Sequence, residues 1–134
     1  FIKSNEDGKF YFLETSCRVG GAHIADMVEA ATHVNLWREW VKIETMVLNK
    51  STYHLNYKRK YFAGLIIALA KDKYPDITDF RVAELVKSLD LEHHISLLYQ
   101  SDSAEKISEA LDSAAEKIYT HHLSILPPQA KPVS

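Results

Sequence analysis

This sequence of 134 residues contains a single cysteine, four glycines and four prolines. Its content of these three residue types is too low for the specialised small folds that they define. The lone Cys17 excludes an intramolecular disulfide and predicts a reducing, cytoplasmic setting. No apolar run reaches the roughly 20 residues that cross a bilayer, so no membrane association is expected. The formal charge is −2 with scattered Lys and Arg, which predicts no nucleic-acid partner. What remains is an ordinary composition, sufficient for one modest core.

Several enzyme motifs are also missing from the sequence. It contains no Gly-x-Ser-x-Gly, no Gly-x-x-x-x-Gly-Lys-Ser/Thr and no His-Glu-x-x-His, so hydrolase, P-loop and zincin hypotheses have no support. The adjacent pairs His93-His94 and His121-His122 point to different faces of a strand or helix and form no i,i+4 clamp. We therefore expect no zinc site.

Apolar residues change between helical and strand-like spacing along the chain, which predicts an α+β fold without internal repeats. Helices are expected over 21–32, over 36–46 and from Asp102 onward, and strands over 57–70 and 94–100. The strand at 57–70 is distinguished from a helix by its glycine and its aromatic and branched residues, because periodicity alone does not decide its type.

Two further expectations concern packing. Asp79 or Thr78 is expected to cap a short helix. The inner face of this short helix would carry Val82, Leu85, Val86 and Leu89.

Trp37 and Trp40 lie three positions apart on one face of the helix expected over 36–46, which favours a buried aromatic pair over a ligand-stacking platform.

A basic run, Lys58-Arg59-Lys60, precedes the apolar part of the 57–70 segment. Alternation along a strand would place Arg59 opposite the two lysines. Contact with a phosphate is one interpretation of this run. A solvated charged edge is the other, and it is typical of short runs of charge.

The most informative segment is 10–24, where an aromatic stretch leads into acid, hydroxyl and basic residues. If this stretch is a strand, Glu14, Ser16 and Arg18 share one face. Glu14 and Ser16 then offer oxygen ligands of the kind that Mg²⁺ prefers, and Arg18 offers a planar fork for a phosphate or carboxylate.

The residues next to this face complete the pattern. Gly20-Gly21 lets the backbone approach a ligand closely and opens a helix whose first N–H groups favour an anion. Cys17 falls on the opposite strand face, which favours a packed thiol over a nucleophile. An alternative interpretation is an amphipathic strand with a Glu14 and Arg18 surface ion pair and a glycine turn.

Together these residues resemble the last part of an ATP-grasp domain, the fold of biotin carboxylase, D-alanine-D-alanine ligase and the dipeptide ligases. The resemblance implies an α+β fold with an antiparallel sheet flanked by helices, forming a carboxy-terminal part over 1–126 that is incomplete at its N-terminus. Residues 127–134, beginning Pro127-Pro128, would be a flexible tail. The resemblance is carried by Asp7-Gly8-Lys9, Phe12-Leu13-Glu14, Arg18, Gly20, Gly21 and the segment 31–35.

The resemblance also implies roles for single residues. Glu14 would bridge the metal ions of Mg-ATP, with Ser16 as second metal-side ligand where many members have Asn. Arg18 would be catalytic, facing the acyl phosphate or substrate carboxylate. Gly20 and Gly21, with Glu14, would bind the cofactor.

The implied function is that of an ATP-dependent ligase, which activates a small carboxylate as an acyl phosphate with Mg-ATP for attack by an amine or similar nucleophile. A further acidic metal ligand is expected upstream of Phe1, so this piece alone is expected to be inactive. His33 stands where such domains usually have Gly. The competing hypothesis is a non-catalytic interaction or assembly domain with a degenerate ATP-grasp fold, and a homodimer is one open oligomeric state.

Overall fold

The computed structural model describes residues 2–12, 17–89 and 91–124, which form an α+β fold with antiparallel sheets, and this coarse prediction is confirmed. Two strands at the N-terminus pair as a hairpin, and three later strands form the main sheet. A 3₁₀ turn spans Thr78–Phe80, and a π-helical turn spans Ile118–His122. The strands are β1 (Ile2–Lys3), β2 (Phe10–Tyr11), β3 (Phe62–Leu69), β4 (Leu85–Ser88) and β5 (His94–Ser101), and the helices are α1 (Ile24–Thr32), α2 (Leu36–Leu48) and α3 (Ala104–Lys117).

The last strand in the chain, β5, lies in the middle of the main sheet, between β3 and β4. Both pairings are antiparallel, and in one of them Ile66 of β3 stands opposite Leu97 of β5. Every residue of β5 from Ile95 to Tyr99 is buried. Because side chains alternate across a strand, burial of consecutive residues means that both faces of β5 are covered.

Helix α3 covers one face and supplies most of the core. Gly64 of β3 lies directly under this helix, next to the side chains of Ile107 and Leu111. A residue without a side chain at this point lets the helix approach the sheet closely. The buried residues of this core are Ala70, Phe80, Ile95, Leu97, Tyr99, Ile107, Ala114 and Ile118.

Helix α1 lies against the opposite face. The side-chain amide of Gln100 donates to the carbonyl of Ala30, and Gln100 alternates with the core-facing Tyr99. Lys87 of β4 reaches the same helix, with Nζ 2.7 Å from Oδ1 of Asp26. This lysine, followed by the His23 ring, holds the pKa of Asp26 below its usual range. The sheet is therefore sandwiched between α1 and α3.

One predicted helix is wrong. The residues expected to follow a cap at Asp79 or Thr78 form the 3₁₀ turn and then strand β4, with Val82 and Val86 exposed. The free edge of β5 explains the difference, since it offers backbone partners that a short isolated helix lacks. A register shift between Leu85 and Lys87 marks this pairing as irregular.

Two smaller expectations also need correction. Helix α3 is capped by Ser103, whose side chain accepts from the backbone N–H of Lys106, so the helix begins after Ser103 rather than at Asp102. Trp37 and Trp40 stack with ring centroids 5.9 Å apart, but they are 55% and 36% exposed rather than buried. Among the helices and strands of the described part, α2 contacts chiefly α1, which leaves both rings partly open to solvent.

The predicted tail at 127–134 lies outside the described residues. Within the residues that are described, none of the helices combines the length and the apolar character needed to cross a bilayer.

Candidate functional site

The segment singled out by its sequence enters the fold as a hairpin followed by an extended loop. Strand β2 covers only Phe10 and Tyr11, and both are exposed. Cys17 and Arg18 lie outside any strand, so the predicted strand face does not extend to Arg18. Glu14 and Ser16, the predicted Mg²⁺ ligands, lie outside the described residues.

The loop from Cys17 to Gly20 forms one wall of a cleft against α2. Val19 is buried and anchors the loop, together with the buried Val34 that precedes α2. The cleft has a volume of about 520 Å³ and its walls are mainly apolar. Its lining residues are Cys17, Arg18, Val19, Gly20, Val34, Leu36, Glu39, Trp40, Ile43, Glu44, Tyr53 and Leu55.

Arg18 is exposed at the edge of this cleft. Among the described residues its guanidinium has no carboxylate within ion-pair distance. The alternative of a Glu14 and Arg18 surface ion pair stays a prediction, because Glu14 lies outside the described residues. Cys17 is exposed on the same wall, which corrects the expectation of a packed thiol. The correction follows from the loop, because Cys17 does not belong to a strand with an inner face.

The two glycines have different surroundings. A Cβ at Gly20 would lie 3.0 Å from Cγ2 of Ile24, so a side chain here would crowd the first turn of α1 where it packs against the loop. A Cβ at Gly21 would meet nothing within 4 Å, and Gly21 does not line the cleft. The left-handed residues of this turn are Ala22 and His23, with φ of 48° and 60°. Helix α1 therefore begins at Ile24, three residues later than predicted.

Glu39 lies at the base of the cleft and is only 7% exposed. Its Oε1 is 2.8 Å from Nζ of Lys42 and 3.4 Å from Nε of Arg38, and its Oε2 accepts from the Tyr53 hydroxyl at 3.0 Å. Lys42 is the main reason that the pKa of Glu39 lies below its usual value, although burial opposes this effect. Burial and the neighbouring Glu39 raise the pKa of Tyr53. Glu39 therefore lines the cleft as a charged carboxylate, and both of its oxygens have hydrogen-bond partners.

Sequence reasoning did not single out Glu39, Trp40 or Tyr53 as site residues. A signal for Glu39 exists in its spacing from Lys42, since residues three apart on a helix are neighbours. Trp40 has a similar signal in its spacing from Glu44, which lies one turn later on the helix. In the structure its indole N–H donates to Glu44 at 3.0 Å. Tyr53 had no local signal, since it approaches Glu39 from a loop 14 residues further along the chain.

Another cavity, of about 360 Å³, lies between α3 and the 3₁₀ turn. Phe80 and Tyr99 line it, and Lys117 at its edge donates to the Asp79 carbonyl at 2.7 Å. It contains none of the residues that the sequence predicted for a site. The cleft beside Arg18 is therefore the better candidate.

Within 2–12, 17–89 and 91–124, no three His, Cys, Asp or Glu side chains come together as a metal site. No protein-family model, curated protein or solved structure matches the chain. The candidate site consequently consists of Arg18 and Gly20 from the prediction, together with the α2 residues and Tyr53 that the fold brings to the same cleft.

Proposed function

We propose that this chain is the carboxy-terminal part of an ATP-grasp ligase, which activates a carboxylate as an acyl phosphate with Mg-ATP for attack by an amine or similar nucleophile. The observation that carries the proposal is the position of Arg18, which is exposed at the edge of the apolar cleft. A guanidinium placed in this way can bind a carboxylate or phosphate through two parallel hydrogen bonds.

The backbone at the end of α1 gives independent support. His33, which stands where ATP-grasp domains usually have Gly, has φ of 60° and ψ of 17°. This left-handed conformation is the one that glycine adopts most readily. A glycine at this position would adopt the same conformation readily, and the proposal draws support from that agreement, although the chain carries histidine here.

The described residues contribute binding and positioning. When bound, Mg-ATP supplies the phosphoryl group and the positive charge that offsets it. Arg18 would hold the anionic end of the substrate at the edge of the cleft, while Trp40 and Ile43 offer apolar surface to the rest. The roles of Glu14 and Ser16 as Mg²⁺ ligands rest on the resemblance alone.

The test is Arg18→Lys in the complete protein, with nucleotide affinity and steady-state rate measured side by side. Lysine keeps the charge but loses the fork, so we expect unchanged ATP affinity and a loss of about 2–4 kcal/mol in transition-state stabilisation, roughly 30- to 900-fold in rate. Arg59→Lys is the matched control, because Arg59 lies over the Phe62 ring, 4.5 Å from its centroid, and does not line the cleft. Collapse of ATP binding with an unchanged rate at saturating ATP would contradict this role for Arg18.

A second candidate function, a non-catalytic assembly domain, is favoured by the outer side of α2. Trp37, Val41 and Leu48 are 55%, 66% and 81% exposed there. Large exposed apolar side chains on one helix are typical of a surface that contacts another protein. A Trp37→Ala/Val41→Ser variant that loses a partner or dimer contact in sedimentation, while wild-type protein shows no nucleotide turnover, would favour this function over the ligase.

A further inference from the structure

Next to the apolar cleft lies a second cavity whose walls are basic. It has a volume of about 390 Å³ and lies between the end of α1, the first two turns of α2 and the segment 54–60. Val34, Glu39 and Leu55 form the wall that it shares with the cleft. Its cationic side chains are Arg38, Lys42, Lys58 and Lys60, and the His33 and His54 rings also line it.

The segment that carries the two lysines is attached to α1 through its backbone. The N–H groups of Lys60 and Tyr61 both donate to the Ala31 carbonyl, at 3.2 and 3.1 Å. The Tyr61 ring also lies against the His33 ring, with centroids 5.7 Å apart. These contacts place Lys58 and Lys60 at the cavity without using their charges.

Arg59, between the two lysines, points elsewhere. Its guanidinium lies over the Phe62 ring, and it does not line the cavity. The predicted strand over 57–70 is shorter in the structure, because β3 begins at Phe62. Arg59 is therefore separated from its neighbours by the course of a loop and not by strand alternation.

The charge around the cavity is strongly positive, although the chain as a whole carries −2. Glu39 is the carboxylate that lines this cavity, and its oxygens are already bonded to Lys42, Arg38 and Tyr53. Among the described residues, neither Lys58 nor Lys60 has a carboxylate within ion-pair distance. Four permanent cations thus share a single carboxylate, and two of the cations are left without a counter-charge.

We propose that this cavity binds a small anion that carries two or more linked phosphate groups. Lysine ammonium groups bind phosphate as point charges, and Arg38 adds a planar fork. The imidazoles of His33 and His54 can donate further hydrogen bonds to phosphate oxygens. A single phosphate would leave part of the positive charge without a partner, whereas a diphosphate matches it. This site is distinct from the Arg18 cleft and does not depend on the proposed ligase function.

The test is calorimetric titration of the protein with inorganic pyrophosphate, with orthophosphate as the comparison. We expect Lys58→Gln/Lys60→Gln to bind pyrophosphate about 100-fold more weakly, because each of the two lost charge-assisted contacts is worth about tenfold. The control variant Lys50→Gln/Lys71→Gln removes the same charge from exposed positions that line none of the cavities described above, and it should bind as wild type does. Thermal unfolding of both double variants verifies that they are folded, and the single variant Lys58→Gln serves if the double variant is not.

Adenosine and ADP then identify the source of the diphosphate. Binding of ADP but not adenosine at the lysine-dependent site indicates that a nucleotide diphosphate is accepted, whereas binding of pyrophosphate alone indicates a free anion. Three results would overturn the proposal: no pyrophosphate binding at about 1 mM, equal weakening in both double variants, or orthophosphate binding as tightly as pyrophosphate. None of these measurements uses ligase turnover, so failure of the ligase proposal would leave them interpretable.

Discussion

His33 ends α1 in a left-handed conformation that a side chain with a Cβ adopts at a cost. The N–H of His33 donates to the Glu29 carbonyl at 2.7 Å, and Lys60 and Tyr61 bond to the neighbouring Ala31 carbonyl. Backbone hydrogen bonds on both sides of position 33 therefore hold this conformation, whichever side chain the residue carries.

Comparing two substitutions at His33 isolates this backbone cost. Both His33→Gly and His33→Ala lose the ring contact with Tyr61, but only alanine keeps a Cβ. We expect His33→Gly to be more stable than His33→Ala by about 1 kcal/mol in denaturant unfolding. Equal stabilities for the two variants would mean that the left-handed conformation is not held in solution.

Glu14 carries the other prediction at this scale. In the complete protein, Glu14→Gln keeps the size of the side chain but removes the charge that would hold Mg²⁺. Turnover should fall about 100-fold or more with little change in the free energy of unfolding. Glu6→Gln is a suitable control because Glu6 is an exposed acid of the N-terminal hairpin turn. Wild-type turnover in the Glu14 variant would remove the metal-binding role.

At the level of elements, the contact between α3 and β3 depends on Gly64. A Cβ at this position would lie 2.7 Å from Cδ1 of Leu111 and 2.8 Å from Cγ2 of Ile107. The Leu111 methyl can rotate away, but the branch of Ile107 is attached directly to its own Cβ and has less freedom.

Gly64→Ala should therefore lower the free energy of unfolding by about 1–3 kcal/mol, as expected when a packed core receives an extra methyl group. Gly21→Ala is the matched control, because the added methyl would meet nothing within 4 Å. Its stability should stay within about 0.5 kcal/mol of wild type. If the two variants were equally stable, α3 would not lie on β3 as closely as described.

For the molecule as a whole, stability should decrease in acid. Each of the carboxyl groups concerned has a pKa lowered from 3.8 for Asp or 4.5 for Glu by hydrogen bonds in the folded state. A lowered folded pKa means that the unfolded chain takes up protons first, so this stabilisation is complete above about pH 4.5 and is lost as the pH falls through the folded values. The groups are Asp7, Asp26, Glu39, Asp76, Glu92 and Glu105.

Urea unfolding at a series of pH values between 6 and about 3 tests this expectation. The free energy of unfolding should fall with pH, and Glu39→Gln should reduce the slope, since the charge held by Lys42 is then absent at every pH. A flat profile in wild-type protein would show that the carboxylate contacts do not persist in solution.

The sequence predicted the three α-helices and the two long strands of the main sheet. Helical spacing of apolar residues indicated α1, α2 and α3, whereas β3 and β5 were indicated by the composition of their apolar runs, which periodicity alone does not assign. Strand β4 was missed, since its four residues pair only through a long-range contact with β5. Of the residues that line the cleft, Arg18 and Gly20 had been named as candidates from the sequence, and their roles stay predictions. The network of Glu39 with Tyr53 depends on a loop that no local pattern places.

The place of β5 at the centre of the main sheet has a consequence for synthesis on the ribosome. Strands β3 and β4 are both made before β5, yet in the sheet each pairs with β5 and not with the other. Neither can complete its backbone pairing until the chain has emerged beyond Ser101. During that interval the apolar residues of β3 remain unpaired, and α3, which covers them, is made later still. The nascent chain can therefore complete its main sheet, and the core under α3, only after β5 and α3 have been made.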